Sequence, residues 1–261
     1  MKLLTLNTHS WQEDHQDDKL DILARQIAEE KFDVIALQEV NQSKHSPIKK
    51  GKVKEDLFVE VLLERLEKYS QKNFQYIWDI SHYSYGEYEE GVALLTHHPI
   101  ISSRSFFVTK SHELTNWKTR KIICATITIG KEELDFYSCH LGWWSDSEEP
   151  ALHQMERLLH SLSKKRTSYL LGDFNSPSNV RNQGYDYLIN HGLFDTYSMA
   201  LEKDSGITVK GDIAGWSKNT KDLRIDFVFT TEKKSIRKST VIFNGTNAPI
   251  VSDHFGVMVD I

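Results

Sequence analysis

A chain of 261 residues, 39% hydrophobic and 26% charged, is long enough to bury a full core. It has no apolar run of about 18 residues, which excludes a membrane-spanning helix, and its net charge of −5 provides no overall basic footprint for nucleic acid. Cys124 and Cys139 lie inside strand-like runs without C-x-x-C spacing, so they read as small buried hydrophobes rather than a disulfide framework.

Met1 leads straight into a strand ending Leu4-Thr5-Leu6-Asn7. The apolar stretch and cleavage site of a secretion signal are absent, and a cytoplasmic location is expected. Residues 17–30 carry Leu20, Leu23, Ala24, Ile27 and Ala28 at helical spacing, the pattern of an amphipathic helix over a sheet face. Residues 33–40 form a strand ending in Gln38-Glu39. Residues 41–54, with Pro47 and five lysines, read as an exposed polar loop. Leu57, Phe58, Val61, Leu62 and Leu66 mark a second helix. A strand over 74–80 precedes an aromatic loop over 82–90. Strand signals then dominate, over 92–96, 100–108, 120–129 and 134–140. A helix is expected over 151–162, a strand over 168–173 and a short helix over 185–190. Closing strands fall at 225–229, 241–243 and 255–259. No repeat or linker interrupts this series, so one domain over 1–261 is expected. Runs of strands with few helices between them predict two packed sheets flanked by helices.

The segment Ser168-Tyr169-Leu170-Leu171-Gly172-Asp173-Phe174-Asn175 is an apolar strand that stops in Gly-Asp-x-Asn. Apolar residues without strict alternation suit a strand buried on both faces. Its end delivers a carboxylate and an amide to one sheet edge, a usual place for a site in a layered fold. A lone D-x-N is more often an Asx turn. Here three other strands end in the same polar way, at Asn7, at Gln38-Glu39 and at His140. With Asp226, Asp253 and His254, these residues have the types that a divalent-metal phosphohydrolase needs. Carboxylate and amide oxygens suit Mg²⁺, with Mn²⁺ as the alternative, and histidines supply proton transfer or hydrogen bonds to phosphoryl oxygens. There is no G-x-S-x-G and no Gly-rich phosphate loop, so water is the expected nucleophile. The histidines do not cluster at zinc-ligand spacing. His97-His98 before Pro99 reads as a turn, and His9 fits no pattern.

Asn7, Leu37-Gln38-Glu39-Val40, Glu90-Gly91-Val92-Ala93-Leu94, Ser138-Cys139-His140, Gly172-Asp173-Phe174-Asn175, Arg224-Ile225-Asp226-Phe227-Val228-Phe229 and Ser252-Asp253-His254-Phe255 together resemble the endonuclease/exonuclease/phosphatase superfamily. The likeness runs through the whole chain in the right order. It implies an α/β fold: a four-layered sandwich, like that of deoxyribonuclease I, of two mostly antiparallel β-sheets flanked by helices. The resemblance further implies that Glu39 is the main metal ligand, with Asn7 beside it and Asp253 as a second metal-side carboxylate. Asp173 would orient the attacking water, Asn175 would hold a phosphoryl oxygen, and His254 would pair with Asp226. His140 resembles the histidine of the nuclease and sphingomyelinase branches, which departs from the tyrosine of apurinic endonucleases. Whether Asp173 or the His254–Asp226 pair is the base stays open.

Substrate must be read from the loops, because a superfamily fixes the reaction type only. Aromatic residues follow the catalytic strands: Trp11 after Asn7, and Trp143-Trp144 after His140. Tyr83, Tyr85 and Tyr88 crowd the 82–90 loop. Trp11, Tyr85, Trp143 and Trp144 are expected to contact substrate, with Arg120 adding charge for a phosphate. The segments Asp204-Ser205-Gly206-Ile207-Thr208-Val209, Gly215-Trp216 and Val241-Ile242-Phe243-Asn244-Gly245 resemble a cytoplasmic bacterial branch that includes the maltose 6'-phosphate phosphatase. The expected partner is thus a small phosphorylated sugar, with no membrane and no protein partner implied. The competing reading is a nuclease, whose best support is the lysine-rich stretch over 44–54 and which would show steep salt dependence. A phospholipase would want an exposed apolar hairpin and a secretion signal, and neither is seen. A non-catalytic module would require the whole polar set to be incidental.

Overall fold

Two β-sheets stack face to face in a computed structural model that describes all 261 residues. The first sheet has seven strands, in the spatial order Ala200–Lys203, Ile236–Ile242, Gly256–Asp260, Lys2–Asn7, Val34–Ser43, Tyr88–Thr96 and Gln75–Ser84. The second has six, in the order Phe194–Asp195, Asp226–Thr230, Ser168–Asp173, Glu132–His140, Lys121–Ile129 and Ile100–Phe107. Most neighbours are antiparallel, but each sheet has a parallel pair at its centre. Lys2–Asn7 lies beside Val34–Ser43, and Glu132–His140 beside Ser168–Asp173. Parallel strands finish at the same edge, so Asn7 is level with Gln38, and Asp173 with His140.

Strand side chains alternate between faces, and this alternation builds the layers. Leu3, Val34 and Ala36 of one sheet meet Phe136, Tyr169, Leu171 and Val228 of the other in a core between the sheets. Leu4, Leu6, Ile35 and Leu37 point the opposite way, onto the helices Gln16–Glu30 and Phe58–Leu66. Tyr137, Cys139, Leu170, Phe227 and Phe229 likewise face the helices Ala151–Ser161 and Gly184–Asn190. The order is helix, sheet, sheet, helix. Continuing the inward alternation to the strand ends gives Asn7 two residues past Thr5, His140 two past Ser138 and Asp173 two past Leu171. The apolar core between the sheets therefore turns polar at one edge, and that edge is the site.

Gly172 makes this close packing possible. A Cβ there would stand 1.9 Å from the Cys139 carbonyl oxygen, and the backbone φ of +154° is one that side chains rarely adopt. Gly172→Ala is expected to destabilise the fold by about 1–3 kcal/mol through overpacking. A thermal melt would register this, and an unchanged Tm would show that the two strands separate easily.

Most expected elements match the sequence reading within two or three residues, and three do not. The strand expected over 241–243 starts five residues earlier, as Ile236–Ile242. Residues 82–90 are a hairpin rather than a loop: Gln75–Ser84 runs on through His82 and pairs with Tyr88–Thr96. Residues 41–54 continue the Val34–Ser43 strand and then form a small hairpin, Ile48–Lys50 with Val53–Lys54, and Lys54 is buried. No helix is long and apolar enough to cross a membrane.

Candidate active site

Glu39 reaches the site through a break in its strand. The Val34–Ser43 ladder slips between Leu37 and Val40, and Glu39 adopts a left-handed φ of 51°. Gln38 already points between the sheets, so regular alternation would send Glu39 out to the helices. The bulge redirects it to the edge. Its carbonyl leaves the ladder and is taken up by the Ser10 hydroxyl at 2.6 Å and the Thr8 hydroxyl at 3.1 Å. Under the site, Gln38 Nε2 donates to Ser138 Oγ at 3.2 Å and Ser138 Oγ donates to the Leu37 carbonyl at 3.1 Å. These bonds join the two sheets.

Asp173 is the hub. The Asn7 amide nitrogen donates to Glu39 Oε1 at 2.8 Å and to Asp173 Oδ2 at 3.3 Å, which links the two sheets a second time. The Asn175 backbone N–H donates to Asp173 Oδ1 at 2.8 Å, so the Asx turn exists as part of the site. His140 Nε2 lies 3.7 Å from Asp173 Oδ2, and His254 Nε2 lies 3.8 Å from the same atom. The other ring nitrogen of His254 is held by Asp226 at 3.0 Å. Asn7, Glu39, His140, Asp173, Asn175, Asp226 and His254 are thus brought together.

Glu39, His140, Asp173, Asn175 and His254 line a cavity of about 300 Å³ together with Glu90 and Arg120, with Tyr85, Trp117 and Trp143 as its aromatic wall. Arg120 is only 3% exposed, and its Nε has no hydrogen-bond partner. The Trp143 indole N–H is also buried without a partner. Two expected substrate contacts are corrected. Trp11 packs edge-on against Phe58 and donates its indole N–H to the carbonyls of Asn41 and Asp56, because its own left-handed backbone turns it away from the site. Trp144 packs into the outer core beside Tyr187. Asp253 does not line the cavity. It groups with His9 and Glu13, and its backbone N–H donates to Glu13 at 3.2 Å. The histidines His97 and His98 group with Asp33 at the opposite end of the strand that carries Glu39. Sequence reasoning left out His82, Glu90, Trp117 and Trp216. Glu90 opens a motif quoted for the resemblance, and its only independent signal is the Gly91 beside it, where a Cβ would meet the Asp79 carbonyl at 2.1 Å.

The chain matches the model of the endonuclease/exonuclease/phosphatase family over residues 5–254. The chain belongs to that family. Among solved structures, an endonuclease/exonuclease/phosphatase family protein from Leptotrichia buccalis is 39% identical, with a TM-score of 0.94, over 100% of this chain and 99% of its own. A mannosyl-6-phosphatase from Bacteroides thetaiotaomicron shares the fold at a TM-score of 0.71 and 16% identity, over 100% of this chain and 98% of its own. A humanized D. rerio TDP2 does so at 0.65 and 15%, over 99% of this chain and 97% of its own. A search of curated proteins finds no match. Members of the endonuclease/exonuclease/phosphatase family are phosphoric ester hydrolases, so the site is that of a phosphohydrolase.

The charges in this family member's site fit a divalent cation. Burial pushes the Glu39 carboxyl up to about 7, helped by the nearby carboxylates of Glu90 and Asp253. Burial raises Glu90 as well. Glu39, Glu90 and His140 offer ligand atoms within 4.8 Å of one another, and two crowded carboxylates are a site that a cation relieves. Asn7 turns its amide nitrogen, not its oxygen, to Glu39. Its Oδ1 accepts from the His9 N–H at 3.2 Å, so Asn7 would ligate only after its amide turns over. The two central histidines are set in opposite states. Burial and the Arg120 charge hold His140 well below its ordinary value, so it is neutral. Burial alone would also neutralise His254, but Asp226 and Asp173 overcome it and raise the ring to about 10.

Proposed function

We propose that the protein is a divalent-metal-dependent phosphomonoesterase acting on a small sugar phosphate such as maltose 6'-phosphate, with Mg²⁺ as the cation. The observation that carries this reading is the compact cavity of about 300 Å³, in which an aromatic wall faces a buried Arg120 whose Nη1 is held by the Trp117 and Thr119 carbonyls and whose Nε has no partner. That volume suits a small ligand. Arg120 would take the phosphate and Trp143 the sugar face, with Tyr85 at the mouth, where it is 63% exposed. The mannosyl-6-phosphatase among the structural relatives supports a sugar phosphate as substrate. The nuclease alternative loses part of its best support, because three of the five lysines of 44–54 are held in ion pairs. Lys49 pairs with Glu60 and Glu64, Lys52 with Asp79 and Lys54 with Glu89.

Bound at Glu39, a divalent ion would neutralise phosphoryl charge and stabilise the leaving oxygen. Asp173 takes the proton from the attacking water. Burial and the Asp226 charge raise it to about 7, near the optimum for a base at neutral pH. His254 is already protonated, so it serves as a charged donor to a phosphoryl oxygen rather than as the base. The new bond joins the water oxygen to phosphorus and the bond to the sugar oxygen breaks; that oxygen takes a proton from solvent to leave as free sugar, Asp173 returns its proton to solvent, and inorganic phosphate follows. A cytoplasmic setting fits such a substrate.

One preparation should release phosphate from maltose 6'-phosphate in Mg²⁺, stop when chelator is added, and leave plasmid DNA intact. Nicked plasmid without phosphate release would overturn the phosphatase reading. Trp143→Ala should raise KM for the sugar phosphate by about 2–12-fold, as expected for losing an aromatic contact of about 0.5–1.5 kcal/mol, with a smaller effect on a minimal aryl phosphate. Equal effects on both substrates would mean that Trp143 only packs.

A further inference from the structure

Asn175 is held by a residue from outside both sheets. Its Oδ1 accepts from the Trp216 indole N–H at 2.7 Å, and its Nδ2 donates to the Leu141 carbonyl at 2.9 Å. An indole can only donate, so this bond fixes which end of the amide is oxygen and leaves Nδ2 turned to Asp173 Oδ2, 3.5 Å away. Asn175 itself sits at a left-handed φ of 46°, a conformation that its surroundings must hold.

Trp216 lies at the tip of an arm. Val209–Lys210 pairs with Asp222–Leu223 at its base, and Val209, Ile213, Leu223 and Ile225 form a small core of its own, against which Trp216 packs. At the tip, Ala214 and Gly215 line the cavity. Gly215 has a left-handed φ of 79°, and a Cβ on it would lie 2.7 Å from Trp143 Cζ2. The same tip therefore touches the amide beside Asp173 and the aromatic wall of the cavity.

We propose that Trp216 is a positioning residue. It fixes the Asn175 amide in its place beside Asp173 at the cavity wall, and through Gly215 it couples that placement to how the wall at Trp143 is filled. The inference rests on Asn175 lying in the phosphohydrolase site. It holds for a monoester or a diester, so it does not depend on the sugar-phosphate reading.

Trp216→Phe keeps the ring but loses the donor. A neutral hydrogen bond contributes about 0.5–1.5 kcal/mol, so kcat should fall about 2–12-fold while KM for an aryl phosphate stays unchanged. In an Asn175→Ala background the same change should have no further effect, because Trp216 acts through the lost amide. An equal loss in both backgrounds, or no loss in either, overturns the proposal. The assay uses whichever aryl phosphomonoester or aryl phosphodiester the wild type hydrolyses. A second readout needs no turnover and no Trp216 variant that folds. The Trp216 indole proton should be protected from solvent exchange in the wild type and lose that protection in Asn175→Ala. Equal protection in the two proteins would also overturn it.

Discussion

Replacing His254 by Ala should lower kcat by about 10²–10³-fold, the usual effect of removing one donor to the charge that develops in the transition state, and near-normal turnover would remove His254 from the mechanism. Asp226→Asn separates charge from shape. The amide keeps a hydrogen-bond partner for the ring but withdraws the counter-charge that, with Asp173, holds the buried imidazolium at about 10. The basic limb of the pH–rate profile should therefore move toward neutral pH. Stability follows with a definite sign. The ring's pKa is raised from 6.5 to about 10 on folding, so its contribution is fully present below 6.5 and is lost as pH rises through 10. The Tm gap between wild type and Asp226→Asn should be widest below pH 6.5 and should narrow toward pH 10. A gap that widens with pH would contradict the charged pair.

Glu39→Gln should lower apparent metal affinity by at least about 10–100-fold, the range already seen when outer partners of a metal site are lost. The pH dependence provides the sharper check. Glu39 is raised from 4.5 to about 7, so below neutrality a proton competes with the cation for the carboxylate. The Tm gain from Mg²⁺ should be larger at pH 8 than at pH 6 in the wild type, and lost in Glu39→Gln. Without metal the sign reverses. A carboxyl whose pKa rises on folding favours the folded state less as pH climbs from 4.5 to 7, so metal-free Glu39→Gln should be the more stable protein at pH 8. If Mg²⁺ stabilises Glu39→Gln as well as the wild type, the cation binds elsewhere.

The layered fold was legible because strands buried on both faces cannot hide their polar ends. Asn7, His140 and Asp173 each stop an apolar run and Asp226 opens one, and a period of two then decides which way they face. Glu39 was legible from its type and place, although regular alternation would have sent it to the wrong face. Only the bulge, which has no clear sequence mark, brings it inward. His82 and Glu90 were obscured by the tyrosines and Gly86 around them, which imitate a loop. In the structure they face each other across a hairpin, 3.3 Å apart. Trp11 and Trp144 show the limit of adjacency. A side chain next to a catalytic residue in sequence faces the substrate only if the intervening backbone allows it, and neither does. Trp117 and Trp216 lie in irregular segments, where no periodicity announces direction.

The bonds from Asn7 to Asp173 and from Gln38 to Ser138 join residues 166 and 100 positions apart, one partner on each sheet. Neither sheet owns a working centre. The first 130 residues emerge from synthesis with Glu39 and Asn7 but no Asp173, His140 or His254, and a nascent chain of that length is chemically silent however well its strands have paired. Turnover requires the two sheets to be docked, and a slip of one residue in the pairing of any of these strands would turn its polar end to the other face. Catalysis in this architecture therefore reports the docking of the two sheets, and under denaturant activity should be lost no later than the circular dichroism of the sheets.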